Sequence, residues 1–110
     1  SSHFLVRRGG EILQFVPVAR RAWHAGDSEF KGRNAVNDFS IGIELEGMEN
    51  SSFESTQYES LTVLTRLLMN TYPAITLDRI VGHSDIAPGR KTDPGPHFDW
   101  LRFREKLEPG

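Results

Sequence analysis

The stretch Gly82 to Pro96, G-H-S-D-I-A-P-G-R-K-T-D-P-G-P, does most to restrict what this chain can fold into. Pro88, Pro94 and Pro96 each fix φ and lack a backbone donor, while Gly89 and Gly95 allow tight turns. A short apolar run, Ile80-Val81, leads in and ends at Gly82-His83. The stiff loop that follows can hold His83 and Asp93, ten positions apart, at a set separation. Zinc takes nitrogen from His and oxygen from Asp, and a catalytic zinc keeps one position open for water. The same residues admit a plainer arrangement. In it His83 ends a strand, Asp93 caps the turn before Pro94, and Lys91 is solvated.

At 110 residues the chain predicts one domain, 1–110, with a small core. The net charge of −2 comes without any block of like charge, so nothing points to nucleic acid. There are no cysteines, which removes disulfides and thiolate metal ligands. No apolar run has the length of a membrane span, and no signal peptide is recognisable. Ser1-Ser2 leads straight into His3-Phe4-Leu5-Val6 without a methionine. The expectation is a fragment or processed product that lacks an upstream part.

Phe4 to Val6 and Ile12 to Val16 are β-rich runs on either side of Gly9-Gly10, which predicts a hairpin ended by Pro17. Residues 18–38 lack sustained periodicity and predict a long loop with a short helical turn near Val18 to Arg21. Phe39, Ile41, Ile43 and Leu45 alternate with Ser40, Gly42, Glu44 and Glu46, the period-2 pattern of a strand with one buried face. Thr56 to Tyr72 reads as a helix, with a Thr56/Glu59 capping box and a stripe of Tyr58, Leu61, Leu64, Leu68 and Tyr72. Pro73 stops it. Arg79 to Val81 predicts a short strand, and Phe98 to Leu107 an amphipathic helix with Trp100, Phe103 and Leu107 on one stripe. His97 reads as structural. The fold class is α/β: a mixed sheet of about four strands flanked by helices.

Two further places admit chemistry. Trp23-His24 sits in the long loop, either packing as a structural pair or walling a substrate groove. Glu44 and Glu46 stand on one strand face with Cβ atoms about 6.5–7 Å apart. They are either a solvated polar face or a place for proton transfer.

The key loop resembles the zinc-binding end of the AmpD-type N-acetylmuramoyl-L-alanine amidases. Three more stretches agree, in the family's order: Ser2 to Glu11, Ala22-Trp23-His24-Ala25-Gly26, and Asn37 to Gly47. The resemblance implies the amidase fold, related to peptidoglycan recognition proteins. It implies Zn2+ held by His83 and Asp93, with Glu44 as the proton-transfer group and Lys91 stabilising the oxyanion. Trp23 and His24 would lie beside the substrate, and Arg90 suits a substrate carboxylate. The implied substrate is a peptidoglycan muropeptide, cut between the lactyl carbonyl of N-acetylmuramic acid, in its 1,6-anhydro form, and L-alanine. The implied setting is cytoplasmic cell-wall recycling, although periplasmic relatives exist. The family's first zinc ligand is a His on a strand upstream of the region where this chain begins. The third ligand is therefore expected from a missing N-terminal segment or another chain, and residues 1–110 alone are expected to be inactive.

Two other functions compete. A non-catalytic module that recognises peptidoglycan fragments would share the fold, but it has no need of a ligand pair plus a base. A glycosidase would use Glu44 and Glu46 as acid and base.

Overall fold

Between its first two β-rich runs the chain must reverse, and Gly10 does so at φ +93°, where a side chain would be strained. The Arg7 N–H donates to the Glu11 carbonyl (2.8 Å), and the Gly10 N–H to that of Arg7 (2.9 Å). This turn joins β1 (Phe4–Val6) to β2 (Ile12–Gln14) in an antiparallel pair, as the sequence predicts. The computed structural model describes residues 2–48 and 51–108.

The long loop holds more structure than its sequence suggests. Near Val18 to Arg21 there is a single turn, with the Arg20 N–H on the Pro17 carbonyl (2.9 Å). Beyond it β3 (Glu29–Phe30) and β4 (Arg33–Asn34) form a small hairpin. Lys31 (φ +50°) and Gly32 (φ +79°) are both left-handed, as a two-residue hairpin turn requires. Lys-Gly is a weaker turn signal than Asn-Gly, so the sequence alone predicts only loop here. A 3-10 turn, Val36–Asp38, follows.

The alternation over 39–45 predicts one strand, yet only Ile43–Leu45 pairs, as β5. It runs parallel to β1 with Phe4 opposite Ile43 and Leu5 opposite Glu44. The sheet order is β2-β1-β5. The preceding residues are engaged elsewhere: the Ser40 hydroxyl donates to the Val36 carbonyl (2.6 Å), and the Gly42 N–H donates to His3 Nδ1 (3.0 Å). Among the described residues the mixed sheet therefore has three strands rather than the expected four or so, with the β3–β4 pair separate.

The long helix α1 (Ser55–Thr71) buries Tyr58, Leu61, Leu64 and Leu68 as predicted, but Tyr72 lies just past its end and is 40% exposed. Its cap is Glu54, two residues before the expected Thr56: the Glu54 N–H donates to Gln57 Oε1 (2.9 Å). The Thr56 hydroxyl instead reaches the Arg8 carbonyl (2.5 Å), and that of Ser60 the Gly10 carbonyl (2.6 Å), so α1 clasps the hairpin turn.

Arg79 to Val81 is not a strand. A 3-10 turn, Leu77–Arg79, precedes an extended Ile80. The carbonyls of Leu77 and Ile80 accept from the Arg104 guanidinium (3.0 and 3.2 Å), which takes the place of a ladder partner. His83 therefore opens a short helix, α2 (His83–Ile86), where a strand end was expected. The final helix, α3 (Trp100–Leu107), starts two residues later than predicted, because the Asp99 carboxylate caps the Arg102 N–H (3.0 Å). Tyr58, Leu61, Phe98, Phe103 and Leu107 form the core around α1 and α3, and Phe4, Leu64 and Leu68 form a second cluster at the sheet. No helix among the described residues is long and apolar enough to cross a membrane.

Gln57 is the polar residue this packing relies on most. Fully buried, its Nε2 donates to the carbonyls of Glu46 (2.8 Å) and Val6 (3.3 Å), tying α1 to the ends of β1 and β5. Gln57→Leu should destabilise the fold by about 1–3 kcal/mol for each buried group left unpaired. Urea unfolding measures this, and an unchanged midpoint would show that water or backbone shifts satisfy those groups.

Candidate active site

The loop after α2 folds back because Gly82 lets it. A Cβ on Gly82 would stand 2.7 Å from Pro94 Cδ, so only glycine admits that ring. The Ser84 N–H then donates to the Asp93 carbonyl (3.1 Å), and the Gly82 N–H to Asp85 Oδ2 (2.9 Å). These bonds bring the two ends of the loop together. His83 Nδ1 and Asp93 Oδ2 meet at 2.5 Å. The His83 side chain is 9% exposed and that of Asp93 49%, so the pair is open to solvent on the carboxylate side.

Ile86 anchors α2 beside the Trp23-His24 loop by packing with Ala25 and Val36. The Asn37 carboxamide oxygen accepts from the N–H groups of His24 (3.0 Å) and Ala25 (2.9 Å) and fixes that segment. His24 Nδ1 lies 2.9 Å from His83 Nε2, and His24 Nε2 lies 2.8 Å from the Ser40 hydroxyl. Burial, then the His83 and His3 imidazoles, pull the His24 pKa down to about 4, so the ring is neutral at pH 7.

Glu44, on β5, borders the same cleft of about 1220 Å³ as His24, His83, Lys91 and Asp93. Lys91 is held there by its N–H on the Ala87 carbonyl (3.0 Å). Glu46, two residues on, has a different fate. Its Oε1 accepts from the Arg8 N–H (2.9 Å) and lies 3.8 Å from Arg7 Nε.

The three residues expected to meet substrate separate. Trp23 is 67% exposed, with the Arg21 guanidinium 5.0 Å from its ring centroid. His24 is buried. Arg90 turns its guanidinium onto the carbonyls of Ala25 and Asp27, with Nη2 to the latter at 2.8 Å, and holds the two loops together. Neither Trp23 nor Arg90 is among the residues lining the cleft. Sequence reading missed Ser40, Asn37 and His3 as builders of this region. Their one signal is polarity at positions that turn out to be buried or half-buried.

One imidazole nitrogen and one carboxylate oxygen, converging with an open side, form a donor set that suits zinc. Among the described residues no group of three His, Asp or Glu side chains closes around one point.

The family model for N-acetylmuramoyl-L-alanine amidase matches residues 1–96. The 1,6-anhydro-N-acetylmuramyl-L-alanine amidase AmpD of Salmonella typhimurium (strain SL1344) is 58% identical over 104 residues, covering 94% of this chain and 55% of that protein. Its Escherichia coli K12 counterpart is 57% identical, with 94% and 56% covered. The crystal structure of a Se-Met AmpD derivative has a TM-score of 0.94 and 54% identity, covering 98% of this chain and 60% of that one. The Escherichia coli amidase AmiD, solved with the substrate anhydro-N-acetylmuramic acid-L-Ala-D-gamma-Glu-L-Lys, has a TM-score of 0.90 and 38% identity, covering 96% and 47%. This chain spans little more than half the length of these curated relatives.

The seat of His24 depends on Gly42. A Cβ there would stand 2.7 Å from His24 Cδ2 and 2.8 Å from its Cβ. Gly42→Ala should displace the imidazole from His83 and cost about 1–3 kcal/mol, the usual scale for overpacking. A urea midpoint equal to that of the parent would show that the loop yields without strain.

Proposed function

The chain belongs to the N-acetylmuramoyl-L-alanine amidase family, and from that premise we propose that it carries the reacting groups of a zinc-dependent amidase. The proposed reaction hydrolyses the amide between the lactyl carbonyl of 1,6-anhydro-N-acetylmuramic acid and L-alanine in muropeptides, as part of cytoplasmic cell-wall recycling. The observation that carries this reading is the 2.5 Å approach of His83 Nδ1 to Asp93 Oδ2, at the edge of a cleft shared with Glu44 and Lys91. The AmpD relatives are named for that amide bond, and AmiD was solved with an anhydromuramoyl peptide.

His83 Nδ1 and Asp93 Oδ2 would hold the zinc ion. When bound, zinc supplies Lewis acidity and makes water a stronger acid. The chain's own residues do the rest. The Glu44 carboxylate, exposed and without a hydrogen-bond or ion-pair partner among the described residues, takes a proton from the attacking water. As the C–N bond breaks, it returns that proton to the departing alanine nitrogen. The Lys91 ammonium, fixed on the same loop as Asp93, stabilises the negative oxygen of the tetrahedral intermediate. Trp23 is exposed but does not line this cleft, so it is given no part in the reaction.

A catalytic zinc takes three protein ligands, and His83 and Asp93 are proposed for two of them. The remaining imidazoles do not complete the set. Both nitrogens of His3 are used, on the Arg20 carbonyl and the Gly42 N–H. Both nitrogens of His24 are used, on Ser40 and His83. His97 is exposed, between the key loop and α3. The third donor is therefore proposed to come from outside these 110 residues.

Two outcomes test this. The 110-residue chain alone, titrated with zinc and assayed on an anhydromuramoyl-alanine peptide, should bind the ion weakly and show no turnover. Tight stoichiometric zinc with turnover would mean that one of its own groups completes the site. In a chimera where this chain replaces the matching stretch of Escherichia coli AmpD, zinc and amidase activity should both appear. There Glu44→Ala and Lys91→Ala should each lower kcat at least about 100-fold, the scale of a lost proton-transfer or oxyanion group, with the fold intact. Near-parental kcat in either variant would remove that residue from its role.

A further inference from the structure

We propose that Arg104, on α3, is a positioning residue for the His83–Asp93 pair: its guanidinium holds the segment that delivers His83. The consequence for a metal ligand rests on the amidase reading, but the geometry does not.

His83 lies three positions after Ile80, so whatever fixes Ile80 sets where α2 begins. The segment from Leu77 to Gly82 pairs with no strand among the described residues. Its own turn bond runs from the Ile80 N–H to the Leu77 carbonyl (3.3 Å). Arg104 adds two bonds from across the fold. Its Nη1 donates to the Leu77 carbonyl (3.0 Å) and its Nη2 to that of Ile80 (3.2 Å). Two carbonyls three positions apart need two donors at a set spacing. A planar guanidinium has them, and a lysine ammonium, a single point charge, does not.

The same guanidinium acts on this junction a second time, through Trp100. Its Cζ lies 5.2 Å from the centroid of the Trp100 ring, which Phe98 packs edge-on and Phe103 at a tilt (centroids 4.8 and 6.2 Å away). The indole rests on Gly82: a Cβ there would stand 3.3 Å from Trp100 Cζ2 and 2.7 Å from Pro94 Cδ. Gly82, next to His83, is thus packed against both Trp100 and the residue that follows Asp93. Arg104 holds the backbone before Gly82 by hydrogen bonds and the ring against Gly82 by stacking. A cation in the last turn of a helix ordinarily serves that helix's own carbonyl end. Arg104 is in the last turn of α3, yet it donates to carbonyls 27 and 24 positions earlier in the chain.

The test is NMR of the metal-free 110-residue chain. In wild type the Nη1 and Nη2 protons of Arg104 should give separate signals, because a guanidinium held on two carbonyls does not rotate freely. A single averaged signal overturns the proposal without any variant. Arg104→Lys keeps the charge and most of the stem. In it the Ser84 N–H, which closes the loop on the Asp93 carbonyl, should exchange with water about tenfold faster, the scale of one lost hydrogen bond, while the Leu64 and Leu68 N–H groups of α1 change less than about threefold. A residue that only stabilises the fold as a whole would speed all three alike, and one that matters to α3 alone would leave Ser84 unmoved; either result overturns the proposal. Arg66→Lys is the control, since Arg66 donates to the Lys106 carbonyl and ties α1 to α3 without meeting the segment before His83. It should leave Ser84 exchange as in wild type, and an equal acceleration there would show that any loosening of α3 is enough, which also overturns the proposal. No readout uses zinc or substrate, so the proposal and the amidase reading fail separately.

Discussion

Three separate parts of the chain meet at the fully buried imidazole of His3. Its Nε2 donates to the Arg20 carbonyl (2.7 Å), and its Nδ1 accepts from the Gly42 N–H (3.0 Å). The same residue's backbone N–H reaches the Gly42 carbonyl (2.9 Å), and its carbonyl accepts from Phe15 (2.9 Å). One residue thus sets the entry to β1, the exit of β2, the start of the long loop and the start of β5. The bond to the Gly42 N–H is buried and that to the Arg20 carbonyl partly so, so removing the ring would leave both groups without this partner, and an unpaired buried group is costly. The position of the Trp23-His24 segment, and through it of His83, follows from this clamp. Sequence alone gives little warning that the His of a β-rich run will bracket two loops.

What was legible divides along a physical line. Signals carried by neighbours in sequence were read correctly. The Gly9-Gly10 reversal, the buried stripe of α1 and the stop before Pro73 depend on local conformation and helical spacing. Signals that depend on distant partners were not. Ile80-Val81 has strand propensity, but Arg104 supplies the groups that satisfy the carbonyls of Leu77 and Ile80, and among the described residues no strand pairs with it. Thr56 has the right spacing to Glu59 for a cap, but the hairpin turn claims its hydroxyl first. Gln57, an unremarkable helix former, becomes the link between helix and sheet only because Glu46 and Val6 lie above it.

The candidate site follows the same division. Loop stiffness allowed His83 to stand near Asp93 and the family resemblance implied it; Gly82, the prolines and the Ser84–Asp93 bond, all within fifteen residues, bring the two together. That His24 would lie against His83, fifty-nine residues away in sequence, was not readable. Nor was the fate of Arg90. A guanidinium beside a conspicuous loop suggests an anion, yet here the backbone carbonyls of Ala25 and Asp27 capture it. Among the cations lining the cleft, Lys91 is the one that shares a loop with Asp93, and its flexible stem and point charge suit an oxygen that becomes negative only during reaction.

Glu44 and Glu46 show how two identical residues on one strand face acquire different chemistry. Alternation puts both on the polar side, and sequence offers no way to choose between them. The fold chooses by what lies opposite. Glu46 stands at the end of β5, where the hairpin turn presents the Arg8 N–H and the Arg7 guanidinium, so its carboxylate is fixed as an acceptor. A carboxylate that holds a backbone N–H gives up structure when it takes a proton, which makes it a poor proton carrier. Glu44 stands opposite Leu5, which brings neither donor nor charge, and it opens on the cleft. An acid–base pair of the glycosidase kind needs both carboxylates to exchange protons with substrate, and only one of these two is at liberty to do so. Hydrolysis of an amide assisted by a metal ion needs just one, because the ion takes over the work of activating water.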